Sequence, residues 1–361
     1  MLLSVISIFT IYSALTYTSS TLGNLAFKQA MWYGIGWILV IILIKLKNEY
    51  LYRHTWTLYI IGNVLLLGLL LFATPINNSR CWYVIPGIGS IQPSEFMKIF
   101  LMLILATMIH NFRNDYDNPT MKEEFQFILK TFIVVLIPSI LTFLQPDTGC
   151  VFMYLVIYIS MMFVSGIRLR WFAIAFLIVF CLLGSVFLLY FFKEDLFIKI
   201  FGSSFYYRFE RVFNWQEGSG LQLENALVAI GSAGFFGHGY NNTPIYFPES
   251  STDFIFAVFA SNFGLLGVIV LLGLILYLDI NIIMLTRRKI QDTDKFIVAG
   301  ILGMLIFQQI QNIGMTVGLL PITGITLPFV SYGGSSLLSY MLIVGILLDI
   351  SLKKSTTYKY R

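Results

Sequence analysis

The sequence predicts an all-α integral membrane protein with about ten transmembrane helices. Hydrophobic residues make up 58% of its 361 positions, charged residues make up only 11%, and the mean hydropathy is +0.82. A water-soluble domain of this composition could not cover its surface with polar groups. The chain also contains ten mainly apolar segments, each close to the roughly 20 residues with which a helix crosses a bilayer.

The ten segments run along the whole chain, which we assign to a single polytopic domain, residues 1–361. The first segment has no basic stretch before it and no small-residue cleavage site after it, so we expect a retained helix rather than a signal peptide. The segments lie near residues 2–18, 29–45, 56–73, 95–110, 129–144, 149–165, 171–192, 254–276, 296–313 and 335–352.

The distribution of Lys and Arg predicts how these helices are oriented. With the N-terminus placed in the cytoplasm, the inner connections and termini hold 16 of the 23 Lys and Arg residues. Positively charged loops remain on the cytoplasmic side of a membrane, so we expect both termini there. The net charge of +5 therefore reflects topology and gives no reason to expect nucleic-acid binding.

The longest connection, residues 193–253, joins the seventh and eighth segments and falls on the extracytoplasmic side. It is much longer than an ordinary loop, so we expect it to form part of the functional surface. The sequence contains no P-loop, GxSxG elbow, dinucleotide fingerprint or zinc-ligand spacing. ATP hydrolysis, serine esterase chemistry and nicotinamide redox chemistry therefore have no support.

Four polar motifs gather on the predicted outer side. The first, QPSEFMK at residues 92–98, opens the fourth segment. Pro93 suits a first helical turn, and Gln92 or Ser94 could cap it. Lys98 lies one turn deeper than Glu95 and is not explained by capping. These two residues could neutralise each other as an i,i+3 pair, or they could serve a site.

The other motifs follow the same pattern of polar groups beside apolar helices. In the second motif, QPDTG at residues 145–149, Asp147 could cap the sixth segment. In the third motif, FPESSTDFIF at residues 247–256, Asp253 could cap the eighth segment. The fourth motif, residues 312–336, combines Gly, Pro and small hydroxyl residues in an apolar context. This combination is typical of irregular backbone that enters the membrane while lining a cavity.

The cost of burying charge favours one common polar cleft. A charge at the centre of a transmembrane helix costs roughly 2.5–3.5 kcal/mol, so several on one face are better explained together than as unrelated caps. Arg208 and Arg211, in YYRFERVFNW, would with Lys98 give this cleft cations for an anionic group. The aromatic residues nearby fit interfacial anchors better than substrate-stacking groups; they are Trp82, Tyr206, Tyr207 and Trp215.

Five motifs, in their order and spacing, resemble those of the SEDS family, the RodA and FtsW proteins of bacterial shape, elongation, division and sporulation. They are QPSEFMK (92–98), QPDTG (145–149), AIGSAGFFGHG (229–239), PESSTDFIFAV (248–258) and NIGMTVGLLPITGITLPFVSYGGSSLL (312–338). The resemblance runs from about residue 80 to the C-terminus. The short termini look more similar to the RodA-like branch or to a sporulation relative than to division proteins with extended termini.

The resemblance implies a function and a partner. It implies a peptidoglycan glycosyltransferase that polymerises lipid II into β-1,4 glycan strands, for cell-wall elongation and shape. The reaction would take place on the outer face of the bacterial cytoplasmic membrane, beside a class B penicillin-binding protein that supplies the transpeptidase. Asp253 matches the family's essential aspartate, so we expect it to act as general base or to bind a divalent cation, Mg²⁺ or Mn²⁺.

The resemblance and the predicted cleft together suggest the substrate-binding residues. Cations would hold the diphosphate of the donor, Glu95 and Asp147 would position the cations or the loops, and serines would shape the cleft. The full set is Lys98, Glu95, Arg208, Arg211, Asp147, Ser331 and Ser335.

Several positions differ from the family pattern. Ser251 stands where a histidine often precedes the aspartate, and Ser261 and Asn262 replace an acidic pair. His238 lies between two glycines where lysine is usual. None of these changes affects Asp253, although they bear on the choice of partner.

Two other functions would also suit an intramembrane polar cleft. A flippase for lipid-linked precursors would place charges near the bilayer midplane with access from both sides, whereas here they lie toward the outer face. A non-catalytic scaffold for a penicillin-binding protein would tolerate loss of Asp253, which an enzyme would not.

Overall fold

The protein is a bundle of membrane-spanning helices. Its computed structural model describes residues 1–14, 25–75, 79–85, 89–203, 206, 220–287 and 290–353. Eight helices in this part of the chain are long and apolar enough to span a membrane, and two shorter apolar helices match the remaining predicted segments. The all-α multi-pass prediction is therefore confirmed. Residues 15–18 of the first predicted segment lie outside the described residues, and the orientation of the helices stays a prediction.

The helices and one small hairpin follow each other in a simple order. They are α1 (Leu2–Ala14), α2 (Leu25–Leu46), α3 (Asn48–Arg53), α4 (Thr55–Phe72), β1 (Tyr83–Ile85), β2 (Gly89–Ile91), α5 (Pro93–Asp115), α6 (Met121–Phe143), α7 (Thr148–Val164), α8 (Leu169–Phe192), α9 (Glu194–Phe201), α10 (Gly220–Gly231), α11 (Ile255–Thr286), α12 (Asp292–Thr316) and α13 (Gly334–Leu352). The antiparallel hairpin of β1 and β2 was not predicted. Within the predicted 193–253 connection, the described residues include α9 and α10.

Helices α5, α12 and α13 form the centre of the bundle. Their buried faces carry polar side chains among the apolar ones, and these polar groups bond to neighbouring helices. Gln308 of α12, for example, donates to the Tyr340 hydroxyl of α13 at 2.8 Å. By contrast, α8 has no buried residue and packs against α9, which suits a helix surrounded by lipid.

An ionic cluster joins α3, α12 and α13 at the predicted cytoplasmic end. Lys353 Nζ lies 3.1 Å from Asp294 Oδ2 and 3.2 Å from Glu49 Oε1. The Tyr52 hydroxyl also donates to Asp294. Because Asp294 is fully buried, these partners compensate a charge that would otherwise be costly.

Helix α11 is broken at Gly264, where φ is 60° and ψ is −162°. The break frees backbone groups that a bilayer cannot solvate, and residues 234–239 pair with them. The amides of His238 and Gly239 donate to the carbonyls of Ser261 and Asn262 at 2.9 and 3.1 Å. Past the break, two α11 amides donate back to the carbonyls of residues 234 and 235.

This pairing brings two glycine backbones too close together for any side chain. A Cβ at Gly237 would lie 2.3 Å from the Asn262 carbonyl oxygen, and one at Gly264 would lie 2.4 Å from the Gly237 nitrogen. Both glycines also have positive φ, which side chains disfavour. The AIGSAGFFGHG motif therefore stabilises the break inside α11.

We predict that Gly237→Ala strongly lowers the thermal unfolding midpoint of the purified protein. The added methyl group would collide with backbone rather than with a flexible side chain. Gly234→Ala is the matched control, because Gly234 also has positive φ but has open space around it. The control should lose only about 1–2 kcal/mol from the left-handed backbone. Equal losses in the two variants would contradict this account.

Candidate functional site

A polar cavity of about 560 Å³ lies where α5, α7 and α13 begin. This is the end of the bundle that the charge pattern predicts to face outward. The cavity brings together residues from all four polar motifs. The lining includes Lys28, Trp32, Trp82, Gly89, Ser90, Gln92, Glu95, Lys98, Asp147, Glu249, Thr252, Asp253, Tyr332, Gly334 and Ser335.

The Lys98 ammonium and the Glu95 carboxylate form a buried ion pair in the cavity wall. Lys98 Nζ lies 2.7 Å from Glu95 Oε2, and the Lys98 side chain is only 1% exposed. Glu95 also accepts a hydrogen bond from Ser339, at 3.2 Å, and Lys98 lies 5.5 Å from the centre of the Tyr340 ring. The predicted i,i+3 pairing is present, so much of the Lys98 charge is balanced by the protein itself.

Asp147 holds two helix ends together. Its Oδ1 accepts from the Cys150 amide at 3.1 Å, which caps α7. Its Oδ2 accepts from Gln92 Nε2 at 2.8 Å and from Ser94 Oγ at 3.0 Å. The expectation that Gln92 or Ser94 caps α5 is wrong, because no side chain caps that helix and both residues donate to Asp147 instead.

Asp253 is not the cap of α11. That helix begins at Ile255 after Phe254 and has no side-chain cap, so the local capping alternative is wrong. Among the described residues, no group donates a hydrogen bond to the Asp253 carboxylate, which lines the cavity. Burial, and secondarily the charge of Glu249, raise the pKa of Asp253 to about 7. A carboxyl group with this pKa can exchange a proton near neutral pH.

The backbone around Asp253 is fixed from behind. Asn312 Nδ2 donates to the carbonyl oxygens of Asp253 and Ile325, at 2.8 and 2.7 Å. Ser331 Oγ donates to the Thr252 carbonyl at 2.6 Å and accepts from the Leu327 amide. Ser331 itself is buried and is not part of the cavity lining. Ser331 therefore supports the loop before α11 from behind. It does not line the cavity, contrary to the prediction from the sequence.

Ser335 does line the cavity, at the start of α13. Its hydroxyl accepts from the Gln92 amide at 2.9 Å and donates to the Ser90 carbonyl at 3.2 Å. These bonds join α13 to the hairpin and to the start of α5. The predicted contact with the cleft is present, although the hydroxyl is already engaged within the protein.

The cavity also contains residues that the sequence reasoning did not assign to it. Lys28 and Trp32 come from α2, and Trp82 comes from the segment before the hairpin. Lys28 and Trp32 are four residues apart and therefore share one helix face, but that spacing alone does not indicate what the face contacts. The predicted cations Arg208 and Arg211 lie outside the described residues.

The carboxylates of Asp253 and Glu249 fit a divalent cation whose other ligands come from the substrate and from water. Asp253 and Glu249 line the same cavity, and the charge of Glu249 affects Asp253. Across the described ranges, no group of three or more His, Cys, Asp or Glu side chains could hold a metal ion. Mg²⁺ often uses only one or two carboxylates together with phosphate oxygens and water, so the residues present are compatible with such an ion.

We predict that Lys98→Met is strongly destabilising because it leaves Glu95 charged and buried. Removing one partner of a buried pair typically costs about 3–5 kcal/mol. The double variant Lys98→Met with Glu95→Gln should recover much of that loss in thermal unfolding. Lys295→Met is the matched control, since Lys295 pairs with Asp292 at a similar 2.8 Å but with both side chains exposed. It should cost at most about 1 kcal/mol, and a loss as large as that of Lys98→Met would refute the argument.

Comparison with other proteins places this arrangement in a known group. The family model of FtsW, RodA and SpoVE cell cycle proteins matches residues 1–356. A probable peptidoglycan glycosyltransferase FtsW of Coxiella burnetii is 34% identical, with 88% of this chain and 82% of the relative aligned. A protein of the same name from Enterococcus hirae is 32% identical over 97% of this chain and 89% of its own length.

Two solved structures have the same fold. A chain from a peptidoglycan synthase complex that coordinates polymerization and crosslinking matches with a TM-score of 0.74 and 26% identity, covering 97% of this chain and 96% of the other. The rod shape determining protein RodA of Thermus thermophilus matches with a TM-score of 0.68 and 26% identity, covering 97% and 93%. The chain thus belongs to the FtsW/RodA/SpoVE family of cell cycle proteins, the SEDS family.

Proposed function

We propose that this protein is a peptidoglycan glycosyltransferase that polymerises lipid II into β-1,4 glycan strands. Asp253 carries the proposal: its carboxylate lines a polar cavity, has no hydrogen-bond donor among the described residues, and has a pKa of about 7. The curated relatives are named probable peptidoglycan glycosyltransferases. Multi-pass helices and the predicted topology support a cavity on the outer face of the bacterial cytoplasmic membrane.

The reaction requires a base near the acceptor and positive potential near the leaving group. In the proposed step, the 4-hydroxyl oxygen of the acceptor GlcNAc attacks the anomeric carbon of the donor MurNAc. The bond from that carbon to the polyprenyl diphosphate breaks, and Asp253 takes the hydroxyl proton. Because the donor linkage is α and the product is β, one inverting displacement accounts for the stereochemistry.

The leaving diphosphate can be stabilised by groups on the cavity wall. Helices α5, α7 and α13 begin at the cavity, and the start of a helix favours anions. Lys28 and Lys98 add cationic side chains, although Lys98 is already paired with Glu95. In the alternative role for Asp253, it and Glu249 would hold a divalent cation, which would supply positive charge for the diphosphate, and Asp253 would then not serve as the free base.

A partner enzyme fits this proposal. The relative with a TM-score of 0.74 comes from a peptidoglycan synthase complex that coordinates polymerization and crosslinking. We propose that this chain likewise works beside a class B penicillin-binding protein, which would supply the crosslinking activity. The named relatives are FtsW proteins and the structural neighbours include RodA, so a RodA-like role in elongation and shape stays a prediction.

We predict that Asp253→Asn abolishes glycan synthesis without unfolding the protein. Asn keeps the size of the side chain but cannot accept the proton, and loss of a general base typically lowers the rate about 10²- to 10⁴-fold. The measurement is lipid II polymerisation by purified protein, alone and with its class B penicillin-binding protein, at several divalent-cation concentrations. Asp195→Asn, at an exposed position of α9, is the control with the same chemical change.

The outcomes separate the competing functions. If the wild-type protein makes strands and folded, partner-bound Asp253→Asn makes none, the enzyme assignment stands. If the two polymerise equally, Asp253 is not the base. If the wild-type protein makes no strands even with its partner, the proposed function fails and a flippase or scaffold becomes the better account.

We predict that polymerisation by the wild-type protein rises with pH through about 7, as Asp253 loses its proton. Because the charge of Glu249 helps to raise this pKa, Glu249→Gln should move the midpoint of the pH profile to lower pH. The measurement is kcat/KM against pH for the wild-type protein and the variant. Glu224→Gln, on an exposed position of α10, should leave the midpoint unchanged. A midpoint that stays in place or moves upward in Glu249→Gln would count against Asp253 as the base.

A further inference from the structure

Trp32 lies in the wall of the cavity although it belongs to an apolar membrane helix. It lies in the first third of α2, is half-buried and lines the cavity together with Gly89 and Gly334. Tryptophan near the end of a membrane helix usually anchors the protein at the lipid interface. Trp37, on the same helix, is 37% exposed and is not part of the cavity lining. Trp32 therefore calls for a different explanation.

The position of the indole ring depends on glycine at the start of α13. A Cβ at Gly334 would lie 2.9 Å from Cε2 and 3.0 Å from Nε1 of Trp32. Gly334 does not have the positive φ that would itself require glycine, so the space taken by the ring is the reason for the missing side chain. Gly89 of the hairpin approaches the ring from another element, since its Cβ would lie 3.6 Å from Cζ2. The ring is thus held against backbone, with part of its surface toward the cavity.

The chemistry of the cavity matches a sugar better than the other parts of a lipid-linked substrate. The face of an indole ring carries negative charge density, which attracts the C–H groups on the face of a pyranose but repels a diphosphate. A polyprenyl chain would need an apolar wall, whereas this cavity also holds Glu249 and Asp253. Trp82 and Tyr332 add two more aromatic rings to the lining.

We propose that Trp32 is the aromatic platform against which one sugar ring of the substrate packs. This inference rests on the proposed function and specifies how its substrate is held. By holding one face of the pyranose, the indole would orient the sugar relative to Asp253. This would lower the entropy cost of reaching the transition state. Trp32 is thus a substrate-binding residue and takes no part in proton transfer.

The test compares a substrate that has sugars with one that lacks them. Lipid II and undecaprenyl diphosphate share the chain and the diphosphate, so only the disaccharide and its peptide distinguish them. Binding of each lipid is measured for wild-type protein, Trp32→Leu and Trp32→Phe in nanodiscs. We expect Trp32→Leu to weaken lipid II binding about three- to tenfold, as the loss of an aromatic contact should, and to leave undecaprenyl diphosphate binding unchanged. Trp32→Phe should retain most of the lipid II affinity.

A matched control and a second variant protect the test from general effects on folding. Trp37→Leu makes the same substitution on the same helix outside the cavity and should change neither affinity. Gly334→Ala should displace the indole and imitate Trp32→Leu. Adding the smaller Phe at position 32 to Gly334→Ala should then restore lipid II binding, which a merely structural role for Trp32 does not predict.

Several results would overturn the proposal. Equal weakening of both lipids by Trp32→Leu would place Trp32 at the diphosphate or in the fold, and equal effects of Leu and Phe would exclude an aromatic contact. Equal affinity of the wild-type protein for the two lipids would show that it makes no useful contact with the sugars. Because binding is measured separately from polymerisation, a wild-type protein that binds the disaccharide through Trp32 but makes no strands would refute the proposed function and leave this inference standing.

Discussion

One buried amide, that of Asn312, joins the two irregular segments that precede α11 and α13. A bilayer offers no water to backbone groups outside regular helices, so each must find a partner in the protein. The Asn312 side chain donates to the carbonyls of Asp253 and Ile325, and so ties α12 to the loops before α11 and α13. The position of Asp253, the proposed base, therefore depends on a residue that does not line the cavity.

The same constraint explains why polar residues in the loops are easily misassigned from sequence. Ser331 has the residue type of a ligand, yet its hydroxyl satisfies the Thr252 carbonyl. Gln29 donates to the Ser331 carbonyl at 3.1 Å, and the Tyr33 hydroxyl donates to the Phe329 carbonyl. At membrane depth, a polar side chain can serve either to bind a substrate or to pair with a backbone carbonyl. The sequence alone does not distinguish these two roles.

Local signals predicted more than signals that depend on distant parts of the chain. Hydropathy located the eight long and two shorter apolar helices, and Asp147 was correctly considered as a helix cap. The break in α11 was missed because Gly264 lies within an otherwise apolar run. The backbone groups freed at the break find hydrogen-bond partners in residues 234–239, which are distant from this local signal. Trp32 was missed for a similar reason: its place in the cavity depends on Gly334, about 300 residues further along the chain.

The site separates the groups that build it from the group proposed to react. Glu95 is paired with Lys98, Asp147 accepts three hydrogen bonds, and Glu249 accepts from Thr252 at 2.6 Å. Among the carboxylates of the described lining, Asp253 alone has no such donor. Its raised pKa means that folding favours the protonated form, so its contribution to stability falls as pH rises from the ordinary aspartate range toward about 7. The folded protein therefore stabilises the ionised Asp253 carboxylate, the form that the proposed catalysis would need, less than it stabilises the protonated form. A carboxylate without hydrogen-bond donors is also the one best able to accept a proton from a substrate.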